Sequence, residues 1–383
     1  MNSRLTDVFF SLIIFQLLFL SLFLLTQKKG KWESNILLGS FFLAICLNLL
    51  DYFLLQTGSY DLHPGLAGWG ICLPLLFGPF IYLYTESVIY KSFYMHLKTA
   101  RHFLPFLLLF AGTEYYYLTC SRVEQEKILY EIHTHHFPIA ITITSTVIFI
   151  QFLIYTIAAL RLVFRYKIAS VQYFSNRKSA DVKWLYTTLI FFIVIIFISA
   201  LNGIFVQTQW SKYYLSLFNF VILALLIYVV RILLKALRKP DFFTISRDDN
   251  PKFQDPESRL QDQPKRDNSE TGKIAKILLL FVENKKPYLN PDLTLDELAM
   301  QLSLKPRVLS NVINEELGHS FYDFINRYRI DEASRLLTKP KDKKITILEV
   351  LYEVGFNSKS SFNTLFKKYT GLTPSEFKKK NLL

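Results

Sequence analysis

Two stretches of the chain carry side chains of the kind that hydrogen-bond to base edges and phosphates. Arg307, Ser310, Asn311 and Asn314 recur at the spacing of one helical face, and Lys359, Ser360, Asn363, Thr364, Lys367 and Lys368 do so further on. In a major groove arginine matches the paired acceptors of guanine, and asparagine the donor and acceptor of adenine. Lysine suits phosphates, which position a protein without carrying sequence information. Each set could equally be a solvated polar face, so the elements that hold the residues decide between the readings.

Those elements are legible from periodicity. Thr294 and Glu297 form a capping box, followed by Leu295, Leu298, Ala299 and Leu302 on one face. After a break at Ser303 and Leu304, Pro306 opens a second helix, with Leu309, Val312, Ile313 and Leu317 inward and Gly318 at its end. A longer helix is predicted over Ser320 to Leu337, with Phe321, Phe324, Ile325, Tyr328, Ala333, Leu336 and Leu337 as packing residues. The pattern then repeats: Ile347, Leu348, Leu351 and Tyr352 read as an inward stripe, Gly355 as a break, and Ser358 as the cap of a helix burying Phe362, Leu365, Phe366 and Tyr369. A closing box from Thr373 to Glu376, with Pro374 first in the helix, ends the pattern. Two short helices joined by a tight turn let the second lie in a groove about 12 Å wide.

This region resembles the DNA-binding domain of AraC/XylS-type transcription regulators. GFNSKSSFNTLFKKYTGLTPSEF, Gly355 to Phe377, follows that family's signature, and LTLDELA from Leu293 with INEELGHSFYDFINRYRIDEASRLL from Ile313 looks like its first helix-turn-helix and linking helix. The resemblance covers about 110 residues. It implies two recognition helices, held by a rigid linking helix, that enter successive major grooves. By position it assigns base reading to Arg307, Ser310 and Asn311, then to Lys359, Ser360, Asn363 and Thr364. Two positions depart from the family: Lys305 stands where a Ser or Thr cap is usual, and Leu351 where Ala is common.

The rest of the chain has another character. Of 383 residues 51% are hydrophobic and 35 are Phe, and the mean hydropathy is +0.25, more than one soluble core needs. Seven apolar runs are long enough to be predicted as bilayer spans: Val8 to Leu25, Ile36 to Leu55, Leu66 to Tyr84, Phe103 to Tyr117, Pro138 to Leu162, Trp184 to Phe205 and Leu215 to Leu233. The fourth is the shortest and is interrupted by Gly112 and Glu114. Sixteen Lys and Arg fall in alternate loops and after the last run, and three (Arg122, Lys127, Lys212) in the opposite loops. The cation rule therefore places the N-terminus outside and the C-terminal region in the cytoplasm.

Between residues 240 and 272 the chain is polar, with four prolines and 5 Lys/Arg against 8 Asp/Glu, which reads as a flexible tether rather than a stiff lever. Residues 273–383 reverse the balance, with 19 Lys/Arg against 13 Asp/Glu. Three scattered cysteines give no disulfide framework. Asn48, Asp51, Glu114, Asn202 and Asn219, with Gln151, place polar groups in or near spans; a ligand-sensing site and hydrogen bonds between helices both fit them. His133, His135 and His136 cluster in an outer loop without matching metal-ligand spacing. No HExxH, GxSxG or phosphate-cradling glycine loop occurs, which disfavours an enzyme.

The expected architecture is thus all-α: a seven-span membrane domain over residues 1–239, a linker over 240–272 and an AraC-type domain of two helix-turn-helix units over 273–383. The expected function is a one-component regulator in a bacterial inner membrane, with no metal or cofactor. Its expected partners are double-stranded promoter DNA, the lipid bilayer, a second copy of the chain, RNA polymerase and a small-molecule or membrane signal. The alternative left open is a transporter or lipid-modifying enzyme with a regulatory DNA-binding appendage.

Overall fold

The computed structural model describes residues 3–28, 31–90, 93–133, 139–175, 182–206, 213–238, 268–338 and 345–381. Among these the chain is helical, and its one β-type contact is an isolated antiparallel bridge between Phe174 and Thr294. Two compact units emerge: Met1–Val163 with Lys183–Ile245, and Phe164–Val182 with Ser246–Leu383.

The first unit contains α1 (Ser3–Thr26), α2 (Trp32–Gln56), α3 (Phe77–Ile89), α4 (Leu97–Ala100), α5 (Leu104–Thr119), α6 (Arg122–His133), most of α7 (Ile139–Ser170), α8 (Lys183–Val206) and α9 (Tyr214–Arg238). Small residues let α1 and α2 approach closely: Ser21 donates to the Gly39 carbonyl at 2.9 Å, and a Cβ on Gly39 would meet the Leu25 side chain at 2.8 Å.

Among the described residues five helices are long and apolar enough to cross a membrane, Asp7–Thr26, Trp32–Gln56, Thr142–Ser170, Lys183–Gly203 and Ser216–Lys235, where the sequence predicts seven. The third predicted run is broken. Prolines open 3₁₀ turns at Pro64–Leu66 and Leu73–Leu76, Gly68 adopts φ +87°, and an α-helix begins only at Phe77. The fourth run forms α5, only 16 residues and about 24 Å long, short of a 30 Å hydrocarbon layer. The long helices also keep apolar faces on the outside. On α8, Tyr186, Ile190, Val194 and Phe197 recur at near-helical spacing and all are exposed; Phe15 on α1 and Ile154 on α7 are more than 60% exposed. In water such surface is a liability, and in lipid it is the natural exterior.

The second unit contains α10 (Asn268–Lys285), α11 (Leu295–Gln301), α12 (Pro306–Asn311), α13 (Phe321–Leu337), α14 (Ile347–Glu353), α15 (Lys359–Thr370) and α16 (Pro374–Asn381). Helix α10 was not foreseen; its first residues, 268–272, fall inside the predicted linker, and 240–267 lie outside the described residues. The capping boxes predicted at Thr294 and Thr373 form, and Ser320 and Ser358 cap α13 and α15. Lys305 supplies no side-chain cap to α12, as its departure from Ser or Thr implies. Beyond Asn311 the helix widens into a π turn, Val312–Glu316, before Gly318 at φ +68°.

Two hydrophobic clusters fill this unit. The first joins Leu278 and Val282 of α10 to Leu295, Leu298, Leu309, Val312, Phe321 and Phe324. The second joins Ile330, Ala333 and Leu337 of α13 to Val350, Leu351, Val354, Phe362 and Phe366. Helix α13 contributes Phe321, Phe324 and Ile325 to one and Tyr322, Ile330, Ala333, Leu336 and Leu337 to the other, which makes it the linking helix. One stripe was misphased: Leu348 and Tyr352 are 51% and 61% exposed, while Val350 and Val354 are fully buried. Ile347, Val350, Leu351 and Val354 also obey helical spacing. The Thr346–Glu349 capping box fixes where α14 starts, and packing of Val350, Leu351 and Val354 against α13 and α15 selects that second phase.

Candidate nucleic-acid interface

Each recognition helix is anchored by its apolar face and leaves its polar face open. Leu309, Val312 and Ile313 are fully buried beneath α12, and Arg307 and Asn311 on its other side are exposed. Ser310 and Asn314 are half-buried and paired, the Asn314 amide donating to the Ser310 hydroxyl at 3.2 Å. On α15, Phe362 and Phe366 are fully buried, and Lys359, Ser360, Thr364, Lys367 and Lys368 are exposed, with Asn363 half-buried. The predicted readers therefore lie in a single unit, on α12 with the π turn that continues it and on α15, most of them exposed and Ser310, Asn314 and Asn363 half-buried.

Lys368 has a local partner. Its Nζ lies 3.0 Å from Asp323 Oδ1 on α13, and the Tyr369 hydroxyl donates to the same carboxylate at 2.9 Å. Burial alone would raise the Asp323 carboxyl, but hydrogen bonds from Lys368, Ser320 and Tyr369 hold it below the usual carboxylate range. The contact ties the second recognition helix to the linking helix.

The group that sequence reasoning missed is Arg329. It is 1% exposed on α13 and forms no ion pair among the described residues; its guanidinium donates to the carbonyls of Tyr288 at 2.7 Å, Asn290 at 2.7 Å and Ser175 at 3.3 Å, and to the Ser175 hydroxyl at 3.1 Å. Burial lowers it to about 10, so it stays charged at neutral pH. Asn326, also 1% exposed, donates to the Ser175 carbonyl at 2.9 Å. In the sequence both sit on the polar side of an amphipathic helix, and only the tertiary fold buries them. Gly355, at φ +83°, passes the same region; a Cβ there would lie 2.7 Å from the Leu289 carbonyl oxygen and 2.8 Å from that of Tyr288.

In the first unit, two of the predicted intramembrane polar residues, Asn48 and Asp51, meet at Gly70, where an added Cβ would overlap the Asp51 side chain. Asn48 donates to the Gly70 carbonyl at 3.0 Å, and Asp51 accepts from the Tyr60 hydroxyl at 2.8 Å, itself bonded by Trp69 Nε1 at 2.9 Å. Glu114 lines a cavity of about 610 Å³ with Leu55, Ala67, Tyr117 and Ile132. Asn202 is buried on α8 with its Oδ1 unpartnered, and Asn219 is half-buried on α9; neither lines that cavity. Among the described residues no three His, Cys, Asp or Glu could hold a metal ion; His135, His136 and the side chain of His133 lie outside them.

A helix-turn-helix domain family matches residues 298–380. The transcriptional regulatory protein YesN of Bacillus subtilis is 36% identical over 93 residues, which are 24% of this chain and 25% of that protein. An HTH-type transcriptional regulator encoded in the cgkA 5′ region of Pseudoalteromonas carrageenovora is 30% identical over 150 residues, 37% of this chain and 86% of its own length. The C-terminal domain of AraT, a response regulator from Geobacillus stearothermophilus, aligns with 29% identity over 29% of this chain and 87% of that domain, at a TM-score of 0.26. The chain thus spans about a quarter of the first relative and most of the second. With two solvent-facing recognition helices on one linking helix, it belongs to the AraC-type helix-turn-helix transcription regulators.

Proposed function

We propose that the chain is a membrane-embedded one-component regulator, whose apolar helices hold it in the inner membrane while its C-terminal unit reads promoter DNA. The observation that carries the reading is the coexistence of two open recognition faces with five long helices whose apolar surface is exposed. Arg307 and Asn311 read base edges in one major groove, helped by Ser310 and Asn314; Lys359, Ser360, Asn363 and Thr364 read the next, and Lys367 contacts phosphate. Lys368 serves mainly to seat α15 on α13 through Asp323. The chain acts as a homodimer on paired half-sites and meets RNA polymerase at the promoter.

The sensor is the first unit. The cavity beside Glu114, largely apolar but with Glu124, Lys127 and Glu131 also in its wall, has the size of a small-molecule site. The test uses the full chain in phospholipid nanodiscs and a random double-stranded DNA library. Enrichment of a bipartite motif, with Arg307→Ala relaxing one base position, supports the reading. Affinity that is indifferent to sequence and merely falls with salt refutes it.

A further inference from the structure

The second unit is not made of C-terminal residues alone. The segment Phe164–Val182, which comprises the end of α7 and the stretch leading to α8, belongs to it, and Val171–Ser175 is built into its surface. Three successive acceptors do this. The Val171 carbonyl accepts from the Tyr322 N–H at 3.1 Å, at the start of α13, and the Tyr173 carbonyl accepts from the Leu295 N–H at 3.0 Å, at the start of α11. Both N–H groups are helix-terminal donors with no partner inside their own helix. Ser175 completes the set: its carbonyl takes Asn326 and Arg329, its hydroxyl accepts from Arg329, and the same hydroxyl donates to the Leu293 carbonyl at 2.7 Å. Phe174 and Ser175 are 4% and 1% exposed.

The side chains are divided between the two helix-turn-helix units. Tyr173 packs against the cluster formed by α10, α11, α12 and the start of α13, and Val171 against the cluster formed by the rest of α13 with α14 and α15. The loop therefore touches both units and the helix that links them. Its contacts leave Arg307, Asn311, Lys359 and Ser360 exposed, so it does not cover the reading surface.

We propose that Val171–Ser175 is a detachable clasp through which the membrane region controls DNA reading. Docked, it fixes the placement of one recognition helix relative to the other; withdrawn by movement of α7 or α8, to which it is covalently joined, it releases that constraint. The signal then bypasses the polar linker. This rests on the DNA-reading function proposed above, but the docking itself is testable without DNA.

The residues of the antiparallel bridge, Phe174 and Thr294, face each other, and opposed residues of such a bridge have Cα atoms about 4.5–5.5 Å apart, within disulfide range. In the full chain, in native membranes, the pair Phe174→Cys with Thr294→Cys crosslinks on mild oxidation while either single substitution does not. Absence of the crosslink overturns the docking. In nanodiscs, the oxidised pair and the unsubstituted protein favour the selected DNA over the same DNA with one base pair inserted between its half-sites. Tyr173→Ala combined with Ser175→Ala lowers that discrimination roughly tenfold, inside the usual range of coupling between sites. Protease resistance of the C-terminal unit checks that this variant folds, and comparing the crosslinked protein before and after reduction gives the same readout should it not. Equal spacing preference in the crosslinked, reduced and released forms overturns the clasp as a control device. Sequence-indifferent binding by every form, with the crosslink intact, refutes the DNA-reading function and leaves the docking standing.

Discussion

Replacing Gly355 by alanine isolates the cost of the closest backbone approach in the C-terminal unit. Three glycines there adopt left-handed backbone: Gly318 at φ +68°, Gly371 at φ +78° and Gly355 at φ +83°. Around Gly318 and Gly371 an added Cβ meets nothing within 4 Å, so alanine costs only the left-handed conformation, about 1–2 kcal/mol. At Gly355 the same Cβ falls 2.7 Å and 2.8 Å from two backbone oxygens. A backbone oxygen cannot rotate away as a side chain can, so the Tyr288–Leu289 segment must move. That segment supplies the Tyr288 carbonyl that Arg329 binds at 2.7 Å. Overpacking of this kind typically adds about 1–3 kcal/mol, giving about 2–5 kcal/mol in all for Gly355→Ala. The assay is the urea midpoint for protease resistance of the C-terminal unit in the full chain, where a slope of about 1–3 kcal/mol per molar converts the loss into a shift on the order of 1–2 M. Gly371→Ala supplies the reference. Midpoints for the two variants that agree within about 0.5 kcal/mol would refute the steric argument, a margin typical of substitutions that meet no special feature.

Other expected outcomes follow the same geometry. Val350→Ala, at a fully buried site, costs about 2 kcal/mol from lost transfer energy and a residual cavity, whereas Leu348→Ala, at a half-exposed one, stays within about 0.5 kcal/mol; the same urea assay distinguishes them. Thr346→Ala removes a capping box and costs about 1 kcal/mol, read in helix content and midpoint together. Because the Asp323 carboxyl is held below its ordinary value in the fold, its stabilising effect is present above the ordinary carboxylate range and is lost as pH falls through the depressed value. Below about pH 4, near the unperturbed Asp value, the native protein should therefore lose stability more steeply than Asp323→Asn, checked by thermal unfolding across a pH series. Arg307→Ala should cost about 1–3 kcal/mol at sites carrying one preferred base and little elsewhere, while Lys367→Ala lowers affinity across all sequences and reduces the salt slope by about 1, both measured by DNA titration.

Local rules carried most of the C-terminal unit. The boxes at Thr294 and Thr373, the caps at Ser320 and Ser358 and the burial of Phe362 and Phe366 depend on residues within one or two turns of each other, and periodicity reads such relations directly. The phase of α14 escaped because Ile347–Val354 is apolar on two overlapping faces, and only packing against α13 and α15 selects between them. The third apolar run was overcounted for a related reason: a hydropathy window averages across Pro64, Gly68 and Pro74, which divide the backbone into short turns. Arg329 and Asn326 escaped because their partners, Tyr288 and Ser175, are distant in sequence. No window holds a segment between two apolar helices together with a domain more than a hundred residues beyond it.

That distant contact also constrains how the chain crosses a membrane. The carbonyls of Val171 and Tyr173 accept hydrogen bonds from Tyr322 and Leu295, so the segment after α7 and the C-terminal unit share one aqueous compartment. Between them in sequence lie α8 and α9, both long and apolar enough to cross, and two crossings return the chain to its starting side. Crossing of the shorter segment Leu73–Ile89 and α5 as a further pair leaves every later side unchanged. Within the proposed membrane arrangement, the cation rule assigns that shared side to the cytoplasm, through Arg161, Arg165 and Lys167 before the segment and Arg231 and Lys235 near the end of α9. In a chain whose Cys46, Cys72 and Cys120 are replaced, cysteine placed at Lys167 or at Lys380 should resist a membrane-impermeant thiol reagent added to intact cells and react once the membrane is opened. Cysteine at Arg122, on the exposed start of α6, should react from outside. Opposite behaviour of the first two positions would contradict the paired crossing of α8 and α9, and with it any docking of the segment on the DNA-reading unit.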